Sequence, residues 1–204
     1  MKTTNPMQLK AFINKMAKEK NIHAQIVMQN YMMERFLERV SVSQHKNNLI
    51  LKGGFLIATI VGLDTRSTMD LDTTIRGVQL TKEAVQKIFD DISSIPLNDD
   101  FSFEVTSIQD IREADAYPGL KVSLRAKYGT LSTPFNIDIT AGDRITPREI
   151  TYQFRLMFEP EKRIDVLAYN LETVLAEKLQ TIISRGVRNT RPRDFYDIYI
   201  IYKL

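Results

Sequence analysis

The sequence predicts an α+β fold: a mixed central sheet flanked by N-terminal and C-terminal helices. Three observations predict it. Apolar residues recur at helical spacing near both ends of the 204 residues, they alternate with polar ones through most of the centre, and no repeat, low-complexity tract or linker breaks the order. The chain divides accordingly into a helical segment over residues 1–45, a mixed αβ core over 46–168 and a second helical segment over 169–204.

Asn5-Pro6 supplies a cap and a proline at the first helical position, and Leu9, Phe12, Ile13 and Met16 then follow at i, i+3, i+4, i+7. After a break at Lys18-Glu19-Lys20-Asn21, a second helix carries Ile22, Ile26, Met33, Phe36, Leu37 and Val40. Its remaining Lys, Glu and Arg residues are expected on a solvated face. Leu49-Ile50-Leu51 reads as a short strand ending at Lys52-Gly53-Gly54. The apolar run Phe55–Val61 after it is assigned to a helix, because a glycine pair commonly marks a strand-to-helix turn and Gly62 suits its C-terminus. Met69–Ile75 is a strand, and Thr81–Ser94 an amphipathic helix with Ala84, Val85, Ile88 and Phe89 inward. Strands are expected over Phe101–Ile111, Leu120–Tyr128 and Pro134–Thr140, with an edge strand over Tyr152–Phe158. Asn170 caps a helix reaching about Ser184, and a last one runs from Pro192 to the end.

Composition excludes several chemistries. There is no cysteine, so disulfides, Cys-ligated zinc, iron–sulfur clusters and a thiol nucleophile are out, and a reducing compartment is favoured. His23 and His45 are too few for a multi-histidine metal site. A net charge of +3 is too mild to announce nucleic-acid binding. No apolar stretch approaches the ~18 residues of a membrane span, and the opening residues lead into no secretory apolar region. These features point to a cytoplasmic protein with no membrane role.

The chemistry-bearing segment is Lys52-Gly53-Gly54 followed by Arg66-Ser67-Thr68-Met69-Asp70-Leu71-Asp72. Side chains two apart on a strand share a face, so Asp70 and Asp72 point one way while Leu71 points into the core. Neighbouring carboxylates repel, and a divalent cation relieves that. Mg²⁺ suits the purpose because it takes few protein oxygens and completes its shell with water and phosphate oxygens. Gly53 and Gly54 open a helix, where bare backbone N–H groups and the helix dipole favour a polyphosphate. Each signal alone is common: an Asp-x-Asp occurs on many solvent faces, and a glycine pair is often only a turn.

Together they resemble the first motif of the DNA polymerase β-like nucleotidyltransferase superfamily. The Arg-x-Thr-x-Asp-x-Asp detail, met by Arg66, Thr68, Asp70 and Asp72, resembles the AbiEii/AbiGii toxin family within it. The superfamily often has Gly-Ser where this chain has Gly53-Gly54, which removes a hydroxyl phosphate ligand. The resemblance implies a third carboxylate on a neighbouring strand, and Asp138 in Phe135-Asn136-Ile137-Asp138-Ile139-Thr140 answers it. Asp143, beside Gly142, reads as a turn former. Leu171–Leu179, with Ala176-Glu177-Lys178-Leu179, resembles the family's Ala-Glu-Lys-Leu helix, and Arg191–Tyr199 its Arg-x-Lys-Asp-x-Tyr-Asp-Leu-Tyr motif, with Arg193 where lysine is commoner. Lys178, Arg185, Arg188, Arg191 and Arg193 form a basic run that suits phosphate, while Asp194 and Asp197 are open to a second role as ion-pair partners of Lys178 or Arg191. Members of the family continue into a helical region beyond the last motif, so the resemblance implies a short variant or a truncated chain.

The resemblance implies a polymerase β-like fold and transfer of a nucleoside monophosphate from an NTP to an acceptor hydroxyl. Asp70, Asp72 and Asp138 would be catalytic and would hold Mg²⁺ or Mn²⁺. Gly53, Gly54, Arg66, Thr68, Lys178, Arg191 and Asp194 would bind the nucleotide. It further implies the toxin of a toxin–antitoxin or abortive-infection (phage-defence) pair, with a separate antitoxin protein and an RNA acceptor, a tRNA 3′ end being favoured. The alternatives are a transferase acting on a protein or a small molecule such as an antibiotic, and a non-catalytic nucleotide- or RNA-binding relative.

Overall fold

Seven strands form one sheet in the computed structural model, which describes residues 5–111 and 119–204. Residues 1–4, part of the opening stretch read above, lie outside the described residues. Asn5 accepts from the Gln8 N–H and starts α1 (Pro6–Lys20), and Asn21, at φ 51, ends it. Next come α2 (Ala24–Val42), β1 (Leu49–Lys52), α3 (Gly53–Val61), β2 (Asp70–Ile75) and α4 (Lys82–Ser93). The strands β3 (Phe101–Ile111), β4 (Gly119–Tyr128), β5 (Leu131–Ala141), β6 (Ile150–Arg155) and β7 (Arg163–Ala168) precede α5 (Leu171–Arg185) and α6 (Pro192–Lys203). The α+β class therefore holds.

The strand order is β3-β4-β5-β2-β1-β7-β6. Most neighbours are antiparallel, but β2 pairs with β5, and β1 with β7, in parallel. The parallel pairs place β2 and β1, which carry the first motif, in the middle of the sheet. One sheet face presents Leu49, Leu51, Leu71, Ile137 and Val166 to Phe36, Leu37 and Val40 of α2 and to Phe89 of α4. Phe36 anchors this layer, stacking on Phe89 at 5.5 Å and meeting Phe103 and Phe135 edge-on. Alternation turns the residues between these, Lys52 and Asp72 among them, toward the opposite face.

Several sequence expectations need correction. The strand expected from Pro134 begins at Leu131, because a two-residue turn with Gly129 at φ 53 makes β4 and β5 one hairpin. The strand expected to reach Phe158 stops at Arg155, although β6 does lie at the sheet's edge. Arg163–Ala168, for which the sequence predicts no element, forms β7, with Ile164, Val166 and Ala168 inward. The largest correction concerns α2. Its polar face is not solvated: Glu34, Arg35, Glu38 and Arg39 are all buried. They neutralise one another and their surroundings. Arg35 pairs with Glu34 and Glu38, both at 2.8 Å, and Arg39 forks onto Asp99. No helix among the described residues is long and apolar enough to cross a membrane.

Candidate active site

The site grows from strand register. Asp72 of β2 lies opposite Asp138 of β5, and Asp70 lies opposite Asn136. On the outer sides, Lys52 of β1 is in register with Asp72, and Lys121 of β4 with Asp138. One row across four strands therefore reads Lys52, Asp72, Asp138, Lys121: two carboxylates side by side between two ammonium groups. Leu71, Ile137 and Ile139 alternate with the acids and are buried, so the core fixes which way the carboxylates point.

Asp72 is held from several sides. Its Oδ2 accepts from the Gly54 N–H at 3.3 Å. Burial pushes its carboxyl above the usual range, and the Asp138 charge pushes the same way, while the Gly54 N–H, Lys52 and Lys178 oppose the shift. Asp138 is less well satisfied. Its Oδ1 is buried without a hydrogen-bond partner, and the Lys121 ammonium stands 3.2 Å away. Asp70 is exposed at the start of β2. Its Oδ1 accepts from Asn136 Nδ2 at 3.4 Å, and the Asn136 amide oxygen in turn accepts from Ser123 Oγ at 3.0 Å.

The glycine pair sits where expected, at the start of α3. Gly53 has φ 65, and a Cβ there would stand 2.1 Å from Asp72 Oδ2, so no other residue fits without moving the acid. A Cβ on Gly54 would stand 2.8 Å from Arg66 Nη2. Arg66 is itself buried and committed: its Nε donates to Asp197 Oδ1 at 2.6 Å and its Nη1 to the Ser67 carbonyl at 2.6 Å. Thr68 is buried, with its hydroxyl donating to the Asp70 carbonyl at 3.2 Å. Asn30 of α2 donates to the Thr68 carbonyl at 2.7 Å, tying the motif loop to the core helix.

The last two helices close this arrangement. Lys178 of α5 donates to Asp194 at 2.6 Å and lies 3.0 Å from Asp197, which is fully buried. Asp197 thus bridges Arg66 and Lys178, joining the first and last motifs. Of the two roles left open for Asp194 and Asp197, ion pairing with Lys178 is the one seen. Arg191 caps α6 and is exposed.

Asp143 needs correction from a simple turn former. It accepts from Lys52 at 2.6 Å, from Tyr169 at 3.1 Å and from Thr140. Against burial, the Lys52 charge and hydrogen bond, together with the Thr140 and Thr74 hydroxyls, hold its carboxyl below the usual range. Burial, with the charges of Glu177 and Asp143, pushes the Tyr169 phenol up. Sequence reasoning missed Lys52 and Lys121. Lys52 stood beside the glycine pair and could have been questioned there; Lys121 has no local signal and becomes visible only through pairing.

Hard carboxylate oxygens facing each other across two strands suit a divalent cation. Among the described residues, however, no three Asp, Glu, His or Cys side chains close into a metal-holding group. The row brings Asp72 and Asp138 together, while Asp70 lies outside it, two residues along β2 and opposite Asn136.

A family model described as nucleotidyl transferase AbiEii toxin, type IV TA system, matches residues 35–204. The chain belongs to this family. The match takes in every AbiEii-like motif quoted above and begins within α2. Among solved structures, JHP933 from Helicobacter pylori is 15% identical with a TM-score of 0.55, over 88% of this chain and 66% of its own. A second Helicobacter pylori structure, described as that of a nucleotidyltransferase, is 16% identical with a TM-score of 0.55, over 89% of this chain and 70% of its own. The antibiotic-resistance factor ANT(2″)-Ia is 12% identical with a TM-score of 0.51, over 86% of this chain and 83% of its own. At such identities the likeness is one of fold, and the fold is that of nucleotidyltransferases. The chain spans 66% of the length of the first of these proteins. No curated protein matches its sequence.

Proposed function

We propose that this AbiEii-family chain transfers a nucleoside monophosphate from an NTP to an acceptor hydroxyl. The observation that carries the reading is the Asp72–Asp138 pair, two carboxylates of like charge facing each other across β2 and β5 and set against the glycine start of α3. Asp72 and Asp138, with Asp70 beside them, would hold a divalent ion, Mg²⁺ or Mn²⁺, which would supply charge neutralisation for the phosphates and lower the acceptor hydroxyl's pKa. The acceptor oxygen forms a bond to the α-phosphorus, the bond to pyrophosphate breaks, and the hydroxyl proton passes to Asp138. Gly53 and Gly54 leave room for the Asp72 carboxylate and the Arg66 guanidinium at the N-terminus of α3, whose positive end would attract the triphosphate. Arg66 and Lys178 have a dual part: their ion pairs with Asp194 and Asp197 fix them beside the glycine turn, and their remaining N–H groups face phosphate charge. Thr68 orients the loop, and Arg191 meets the triphosphate from the exposed cap of α6. Catalysis of this kind is positioning and electrostatics, which a site without cysteine or histidine can supply.

The acceptor we favour is RNA, a tRNA 3′ end in particular, with the chain acting in the cytoplasm as the toxin of an antitoxin-controlled phage-defence pair. The experiment is incubation with each α-labelled NTP, Mg²⁺ or Mn²⁺, and separately total RNA, total protein and small hydroxyl compounds. Label in RNA supports the reading. Label in protein or a small molecule keeps the chemistry and overturns the acceptor. No label in any arm, together with no calorimetric NTP binding, overturns the activity.

A further inference from the structure

The two lysines that end the charge row are not equivalent. Lys52 is 9% exposed at its side chain and is locked by Asp143 at 2.6 Å and Glu177 at 3.7 Å, with its ammonium over the Tyr169 ring at 5.4 Å. Lys121 is 32% exposed, and its contact here is the Asp138 carboxylate. That contact is an ion pair, with Lys121 Nζ 3.2 Å from Asp138 Oδ1 and, among the described residues, no second carboxylate at the ammonium. An ammonium on a flexible four-carbon stem, partly in solvent, can leave such a place at small cost.

We propose that Lys121 is the resident counter-cation of the acid pair: it neutralises Asp138 while no divalent ion is bound, and gives up that place when one binds. The inference rests on the reading of Asp72 and Asp138 as an ion-holding pair, but not on nucleotide transfer. Its physical basis is that one carboxylate oxygen in a half-buried row cannot be matched by two cations at once without mutual repulsion. Lys121 is then a positioning residue. It keeps the two facing carboxylates from forcing β2 and β5 apart in the ion-free protein, and it sets a competition that any entering cation has to win. Lys52 cannot do this, because Asp143 and Glu177 already hold it.

The test uses the full chain without nucleotide and has two readouts. Mn²⁺ binding is measured by electron paramagnetic resonance on the wild type, Lys121→Met and Lys121→Arg. Melting temperatures in chelator are measured for Lys121→Met, Asp138→Asn and the double variant. Removing the competing charge is expected to tighten Mn²⁺ by about tenfold in Lys121→Met, with Lys121→Arg close to wild type. In chelator, Lys121→Met is expected to melt lower, and Asp138→Asn to restore that loss in the double variant. Unchanged or weaker Mn²⁺ binding in Lys121→Met, no Mn²⁺ binding by any form, or additive melting shifts would each overturn the proposal. A chain that meets both expectations yet transfers no nucleotide would leave Lys121 in this role and remove the transferase reading alone.

Discussion

Helix α2 and the β2–β5 row both bury charge, and they resolve it in opposite ways. In α2 every buried charge meets its opposite: Arg35 sits between Glu34 and Glu38, Lys162 reaches Glu38, and Arg39 forks onto Asp99 while lying over the Phe103 ring at 4.9 Å. In the row, two like charges face each other and their balancing cations stand outside them. Buried pairs of opposite sign are finished structure, since removing one partner strands the other. A like-signed pair is unfinished, and it gains from whatever positive charge arrives. The same element, a buried carboxylate, is thus scaffold in one region and candidate chemistry in the other.

The largest effect should come from breaking the finished region. Arg39→Ala removes the fork onto Asp99 and the bond to the Phe101 carbonyl, and should cost about 3–5 kcal/mol in denaturant unfolding. A loss under about 1 kcal/mol would place these charges with ordinary surface pairs.

Lys178→Ala probes the border between the regions, because Lys178 serves the Asp194–Asp197 ion pairs and also lies near enough to Asp72 to lower its carboxyl pKa. It should cost about 1–3 kcal/mol and weaken NTP binding in calorimetry. Lost stability with intact NTP affinity would make Lys178 structural only.

Gly53→Ala tests how closely the row is fitted. An alanine at φ 65 costs about 1–2 kcal/mol, and its Cβ would displace the Asp72 carboxylate, so NTP transfer should fall further than stability does.

A smaller effect is expected from pH. Burial pushes Glu34 up from 4.5 to about 7, against the opposing charge of Arg35 and the Met157 N–H. The folded chain therefore binds this proton more tightly than the unfolded one does, and the Glu34 contribution to stability falls as pH rises from 4.5 to about 7. Glu34→Gln should flatten that part of the stability–pH curve; an unaltered curve would contradict the assignment.

What the sequence showed follows from the range of each cause. Caps and periodicity act within a turn or two, so Asn5, Thr81 and Asn170 marked their helices, and β3 was legible at both ends. The Asp-x-Asp face and the glycine turn were likewise local. The buried polar face of α2 was not, since a charged stripe looks the same in sequence whether water or a second layer of charge meets it. Asp143 and Lys121 owe their surroundings to contacts across the sheet, Asp143 just past β5 meeting Lys52 of β1 and Lys121 of β4 lying in register with Asp138, and no spacing along the chain encodes that. The helix-joining bridge of Asp197 between Arg66 and Lys178 is of the same long-range kind.

The central claim is that Asp72 and Asp138 are held in opposition for an incoming cation. The most direct measurement is the melting temperature and NTP-transfer rate of Asp72→Asn, in chelator and in Mg²⁺. The raised Asp72 carboxyl means that its ionised form costs folded stability above the ordinary carboxylate range, so neutralising it should leave the chelated protein as stable as wild type or more so. Transfer should collapse, and the stabilisation by Mg²⁺ with NTP, about 2.7 kcal/mol at a hundredfold excess over Kd, should vanish. An Asp72→Asn protein that melts lower in chelator and keeps its transfer rate would contradict the account, because Asp72 would then be one more paired structural acid.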